Sequence, residues 1–212
     1  MLLENWEQLR KQLPDGVNLL AVSKGHPSEK IRYLAELGQI DFGESRLQEA
    51  LLKFNALGDL KQIKWHFIGR LQSNKVRGVV QNFDFIHSVD SQLLAERISR
   101  IAVEENRTIQ IMLQVKLAKD PTKGGFNPEN LQRVIPMIHS LSNIKTTGLM
   151  TMAPINFGKE ERRNLFGQCR SLANQLDLKE CSMGMSSDWE EALKAGATWL
   201  RLGSSVFGYR PK

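Results

Sequence analysis

The chain predicts one α/β domain built as a (β/α)8 barrel of the TIM type, and three observations predict it. Apolar strand-like runs alternate with amphipathic helical stretches along all 212 residues, there are eight such runs, and the segments between them are short. A doubly wound open sheet is the alternative that the same alternation allows.

The strands begin near Val17, Gln39, Ile63, Phe85, Thr108, Ile144, Glu180 and Trp199. Between them, apolar residues recur at helical spacing: Leu47, Ala50, Leu51 and Phe54; Leu94, Ile98, Ile101 and Ala102; Leu165, Cys169, Leu172 and Leu176. Leu131, Val134, Ile135 and Ile138 form a further stripe, entered through Asn127 as cap and Pro128 at the first helical position. Gly38, Gly58 and Gly196 stand where helices should stop. Only ten residues follow Leu202, so the last strand lacks room for its own helix, and residues 2–13 are expected to supply the missing outer one. With no linker, repeat or low-complexity tract, residues 1–212 read as a single domain.

Composition narrows the function. The net charge of +6 comes from 29 basic and 23 acidic residues spread along the chain, without the arginine-rich block, zinc spacing or aromatic interleaving of a nucleic-acid binder. No apolar run approaches the ~20 residues of a membrane span, and the first residues lack the pattern of an export signal. Two cysteines, Cys169 and Cys181, are too few for a disulfide framework and suit a reducing cytoplasm. His26, His66, His87 and His139 are too scattered for a metal constellation.

Lys24 carries the most chemistry. It lies where the apolar run 17–23 leaves the core, so its stem is held while its amine reaches the open end of a sheet. Desolvation there disfavours the charged form, and a neutral amine condenses with an aldehyde. Position alone favours a solvated strand-end lysine; the far end of the chain changes that. Barrel sites lie at the carboxyl ends of strands, with phosphate after strands seven and eight. After strand seven, Ser187 and Glu190 have the spacing of a capping box, and Ser186 adds a hydroxyl to the free N–H groups of a helix start. After strand eight, Gly203 permits close approach to the backbone and Ser204 adds a donor. An aldehyde bearing a phosphate satisfies both ends: pyridoxal phosphate, or a sugar-phosphate carbonyl in a class I aldolase.

With these residues assembled, the chain resembles the pyridoxal phosphate homeostasis proteins, single-domain relatives of the alanine racemase barrel. The resemblance rests on residues 21–24 (Ala-Val-Ser-Lys), 42–44 (Phe-Gly-Glu), 65–69 (Trp-His-Phe-Ile-Gly), 71–75 (Leu-Gln-Ser-Asn-Lys), 148–150 (Gly-Leu-Met), 183–186 (Met-Gly-Met-Ser) and 201–203 (Arg-Leu-Gly). It implies a fold type III barrel holding pyridoxal 5'-phosphate as an internal aldimine on Lys24. It further implies a cytoplasmic, monomeric protein of vitamin B6 and amino/keto acid homeostasis, without clear catalysis. Ser45, His66, Met185, Ser186, Arg201, Gly203 and Ser204 are the other implied cofactor contacts, and other B6 vitamers are possible ligands.

Arg201 matches the arginine that partners the ring nitrogen in the racemase barrels. A permanent cation that only donates hydrogen bonds favours an unprotonated ring nitrogen, a poor electron sink, so turnover is expected to be slow. Racemisation needs a second base. Of the two tyrosines, Tyr33 lies in the first helix after strand one, and Tyr209 is near the C-terminus; His66 reads as a packed histidine close to the cofactor. A racemase or decarboxylase of an unknown amino acid is the alternative. Three positions depart from the family pattern: Ser45 in place of Asn, Gly25-His26 in place of Thr-Lys, and the loop 119–126, which matches loosely.

Overall fold

The computed structural model describes residues 2–118 and 124–209. Among these, eight strands pair in parallel and close on themselves: β1 (Asn18–Val22), β2 (Asp41–Glu44), β3 (Lys64–Phe67), β4 (Phe85–Val89), β5 (Ile109–Gln114), β6 (Ile144–Met150), β7 (Glu180–Ser182) and β8 (Trp199–Leu202). Every strand begins within two residues of the position the sequence predicts, and closure rules out the open sheet. The outer layer is α1 (Leu2–Gln12), α2 (Ser28–Glu36), α3 (Leu47–Ala56), α4 (Val76–Asn82), α5 (Gln92–Glu104), α6 (Pro128–His139), α7 (Lys159–Gln175), α8 (Trp189–Lys194) and α9 (Ser204–Phe207).

Local chemistry explains most boundaries. Asn127 caps α6 by accepting the Glu129 N–H at 2.9 Å, and Pro128 opens the helix without wasting a donor. Gly38 and Gly196 take the left-handed conformation that ends a helix, at φ +97° and +87°. After α5, α6 and α7 that conformation falls instead to Asn106, Asn143 and Asp177, the residue types that tolerate it best after glycine. Two expectations need correction. The strand-eight step does carry a helix, the single turn α9, against which α1 packs. The capping box at Ser187 does not form: α8 starts at Trp189, and Asp188 occupies the cap position while its Oδ1 accepts the Met185 N–H at 2.6 Å.

Strand alternation divides the buried residues into two populations. Leu19, Ala21, Phe42, Ile86, Ile111, Leu149, Leu200 and Leu202 face the helices and belong to one continuous apolar core. Inside the barrel, Leu20, Met112, Met150 and Trp199 form a separate small cluster with Ile68 and Met152 against it. The remaining interior is polar. His66 lies between Asp41 (Nε2 to Oδ1, 3.0 Å) and His87 (Nδ1 to Nε2, 2.9 Å), and His87 Nδ1 lies 2.8 Å from Ser182 Oγ. Arg201 donates from Nη1 to Ser182 Oγ and from Nη2 to the Thr151 carbonyl, both at 2.8 Å. His66, stacked on Phe85 at 4.2 Å, and His87 are wholly buried.

Two measurements test this packing. Burial pushes His66 below its ordinary value of 6.5 despite Asp41, and pushes His87 well below it, with His66 and Arg201 adding to the effect. The unfolded chain therefore binds protons near pH 6.5 that the folded chain refuses, so stability falls as pH drops below 6.5. Glu44, whose carboxyl burial pushes up against its bonds from Lys53 and Ser23, acts in the opposite sense closer to the carboxylate range. Urea midpoints measured from pH 7.5 down to 5.5 should decline; a flat profile would contradict neutral buried histidines. The second measurement concerns Gly184, held at φ +89°, where an added Cβ would lie 2.6 Å from the Ala192 Cβ and 3.0 Å from Leu200. Gly184→Ala should lower stability by roughly 1–3 kcal/mol, read as a lower denaturation midpoint with an unchanged m-value.

Candidate cofactor site

Lys24 follows β1 directly, half-buried in a tight turn closed by the His26 N–H donating to the Ser23 carbonyl at 3.0 Å. The turn is anchored from below by a buried ionic cluster. Lys53 on α3 donates to the Ser23 carbonyl at 2.9 Å, to Glu44 Oε1 at 2.7 Å and to Glu49 Oε1 at 2.8 Å. The Ser23 hydroxyl also donates to Glu44 Oε1, at 2.6 Å, and the Gly25 N–H donates to Glu49 Oε1. Lys24 is thus flanked by two residues whose backbone groups are tied to the same three charges. Lys53 is 5% exposed, Glu44 and Ser23 not at all, so removing one member strands a buried charge, a loss on the order of 3–5 kcal/mol.

The departure at Gly25-His26 takes its physical form here. Gly25 adopts φ +75°, which suits glycine, and the His26 ring is buried and stacks on Phe207 of α9 at 4.8 Å. That stack joins the Lys24 turn to the segment after β8.

The opposite rim is built by the loops after β7 and β8. The Ser205 N–H donates to Ser186 Oγ at 3.2 Å, so the two loops expected to cradle an anion do meet. Arg162 on α7 holds the same rim, donating to the carbonyls of Ser187 at 3.1 Å and Ile155 at 3.2 Å. Arg201 hangs beneath, its N–H donating to the Gly184 carbonyl at 3.0 Å. At Gly203 neither conformation nor packing demands glycine: φ is −105°, and a Cβ would find the Val22 carbonyl oxygen no closer than 3.5 Å. A Cβ there would make ordinary contact with Val22 at the end of β1.

The structure therefore brings Lys24, Gly203, Ser204, Ser186 and Met185 to one end of the barrel, with Arg201 just below. Ser45 follows β2 at the same face, half-buried, its carbonyl pressed against Gly69, where any Cβ would collide with it. His66 is not brought there. It sits inside the barrel with both ring nitrogens engaged, and reaches the mouth only through His87, Ser182 and Arg201. Tyr33 lies on α2 and Tyr209 beyond α9, 42% and 96% exposed. Of the loosely matching loop 119–126, residues 119–123 lie outside the described residues.

Sequence reasoning missed Lys53, Glu49, His87, Ser182 and Gly184. A signal existed for two of them, because Glu49 and Lys53 stand four apart on a predicted helix. Such pairs are ordinarily solvated, and nothing local reveals that this one is buried. Chemically, one end of the barrel carries an amine, a rim of serine hydroxyls and backbone N–H groups, and a guanidinium beneath. Among the described residues no cluster of His, Cys, Asp or Glu could hold a metal, and no helix is long and apolar enough to cross a membrane.

Comparison with known proteins gives a consistent picture. Residues 1–211 match the model of the alanine racemase N-terminal domain. The pyridoxal phosphate homeostasis protein of Synechocystis is 44% identical over 211 residues, covering 97% of each chain, and that of Aquifex aeolicus is 40% identical over 198 residues, covering 91% of this chain and 86% of the relative. The structure of PipY from Synechococcus elongatus with PLP bound superposes with a TM-score of 0.94 at 46% identity, covering 98% of this chain and all of PipY; its PLP-free form gives 0.96. Alanine racemase of Clostridium difficile shares the fold alone, with a TM-score of 0.79 at 17% identity over 57% of its length. The chain belongs to the alanine racemase N-terminal domain family and, within it, to the pyridoxal phosphate homeostasis proteins.

Proposed function

We propose that this protein binds pyridoxal 5'-phosphate at the carboxyl end of its barrel, linked through Lys24, and serves vitamin B6 and amino/keto acid balance as a binding protein rather than a catalyst. The observation that carries the reading is the meeting of the loops after β7 and β8, where the Ser205 N–H donates to Ser186 Oγ, with Gly203 in ordinary contact with Val22 at the end of β1. A phosphate there would lie against the first N–H groups of α9 and the hydroxyls of Ser186 and Ser204. Lys24 supplies the amine for the aldehyde, and the Lys53 cluster fixes the stem from which that amine extends. Arg201 retains three of its five N–H donors after its bonds to Ser182 and Thr151, enough to meet a ring nitrogen. Met185, 36% exposed on the rim, and Ser45 complete the surround.

When bound, pyridoxal phosphate supplies an electron sink whose strength depends on the group at its ring nitrogen. Arg201 weakens it. Burial lowers the Arg201 guanidinium to about 10, still charged at neutral pH, so the residue donates and does not accept. None of the three residues considered as a second base takes that place: Tyr33 is on the outer layer, Tyr209 points into solvent, and His66 is locked in the interior. The binding of PLP by PipY, a relative 46% identical, supports the same reading. A monomer in the cytoplasm fits a chain whose two cysteines are free and buried.

Borohydride treatment of the protein loaded with pyridoxal phosphate should fix the chromophore on the peptide containing Lys24, and Lys24→Ala should abolish the fixation. Rapid exchange of an amino acid's α-proton into heavy water would favour the racemase alternative. At the rim, Gly203→Val should leave the thermal midpoint of the ligand-free protein nearly unchanged and weaken pyridoxal phosphate binding by roughly tenfold or more, the scale of one or two charge-assisted hydrogen bonds. Equal loss of pyridoxal, which lacks the phosphate, would place the anion elsewhere.

A further inference from the structure

The polar interior of the barrel has a direction. Asp41 is a carboxylate that can only accept, so His66 must donate to it from Nε2. A neutral His66 then accepts at Nδ1, which requires His87 to donate from its own Nε2. A neutral His87 in turn accepts at Nδ1, and the only hydrogen available is that of the Ser182 hydroxyl. Ser182 Oγ is thereby left to accept from Arg201 Nη1. Every link has one donor and one acceptor, and each hydrogen points the same way, from the guanidinium through a serine and two imidazoles to a carboxylate at the first residue of β2. Burial of both rings favours the neutral forms this arrangement needs; near His66 the charges of Asp41 and Asp84 oppose it and that of Lys64 assists, while near His87 the charge of Arg201 assists.

We propose that Asp41, His66 and His87 are positioning residues: with Ser182 they form a one-way hydrogen-bond chain that fixes the rotamer of Arg201 and so sets how its free N–H groups meet the ligand ring. The Thr151 carbonyl holds the second nitrogen of the guanidinium, so the two anchors define its plane. Without the chain, the Ser182 hydroxyl is free to rotate and the guanidinium is held at one nitrogen only. The inference rests on pyridoxal phosphate as the ligand, but the chain itself belongs to the ligand-free protein and can be tested there.

Long-range proton–nitrogen correlation spectra of the ligand-free protein at pH 7.5 should show His66 and His87 both neutral and both protonated at Nε2. An imidazolium at His66, or His87 protonated at Nδ1, reverses the chain and overturns the proposal. Asp41→Asn keeps an acceptor and should preserve both tautomers, whereas Asp41→Ala should disturb both rings; unaltered ring nitrogens in Asp41→Ala would also overturn it. For the consequence at the mouth, His87→Phe should weaken pyridoxal phosphate binding roughly 3- to 10-fold in the wild-type background and leave it unchanged in an Arg201→Leu background. Equal losses in both backgrounds would mean that His87 acts through general packing and not through Arg201. A wild-type protein that binds no pyridoxal phosphate refutes the functional reading, and the ring-nitrogen spectra then decide the chain by themselves.

Discussion

The pairing of β1 with β8 is the constraint on which the site depends. The two strands run in register from Asn18 opposite Trp199 to Ala21 opposite Leu202, and Asn18 adds backbone and side-chain bonds to the Thr198 carbonyl at 2.8 and 3.3 Å. This seam joins segments some 180 residues apart in the chain. Its closure places the turn after β1 beside the turn after β8, so Lys24 and Gly203 become neighbours only if all six intervening strands are in place. Parallel strands need crossover connections, and the loop entropy of each must be met before the next pairing contributes. The α1 helix packs on α9 just outside the seam, and the His26–Phe207 stack closes it at the mouth.

That architecture makes opposite demands on the two faces of each strand. Outward residues meet helices and are apolar, which accounts for most of the hydrophobic driving force. Inward residues meet each other across a narrow barrel, where bulky branched side chains usually fill the layers. Here that space holds an aspartate, two histidines, a serine and an arginine alongside Phe85, Leu20, Met112, Met150 and Trp199. A buried cation and a carboxylate at opposite ends would be expensive if left unpaired, but every link between them is hydrogen-bonded. The interior therefore contributes orientation more than stability. Leucines in place of the aspartate, histidines and serine would hold the barrel together while losing the geometry of Arg201.

Legibility in the sequence followed the same division. Alternation and helical periodicity report which face of an element is buried, and they located all eight strands, the α6 cap and the helical stripes. They also placed Lys24, Ser186 and Gly203 at one end, because strand order fixes which ends face which way. What periodicity cannot report is who meets whom. His66 and His87 are 21 residues apart on neighbouring strands, and only the register of β3 against β4 makes them partners. Lys53 likewise reads as half of an exposed i,i+4 pair until the turn after β1 is laid over it. The start of α8 failed for a different reason: Asp188 sits one residue after Ser187, and its carboxylate closes on the Met185 N–H, a local competition that spacing alone does not rank.

The departures from the family pattern show where the site is rigid and where it has latitude. Around Lys24 the anchoring bonds end on main-chain groups, the Ser23 carbonyl and the Gly25 N–H. The side chains at 25 and 26 are therefore not what holds the lysine, and they can vary provided the turn geometry is kept. Ser45 follows the same logic. Its position is set by its carbonyl packing against Gly69, whose own carbonyl accepts from the Ser88 hydroxyl. A shorter side chain there leaves the backbone in place and opens room for a water where asparagine would reach directly. A site supported by backbone contacts tolerates exchange of its peripheral side chains, whereas in the proposed function the groups with no backbone substitute, Lys24, Lys53 and Arg201, have no such latitude.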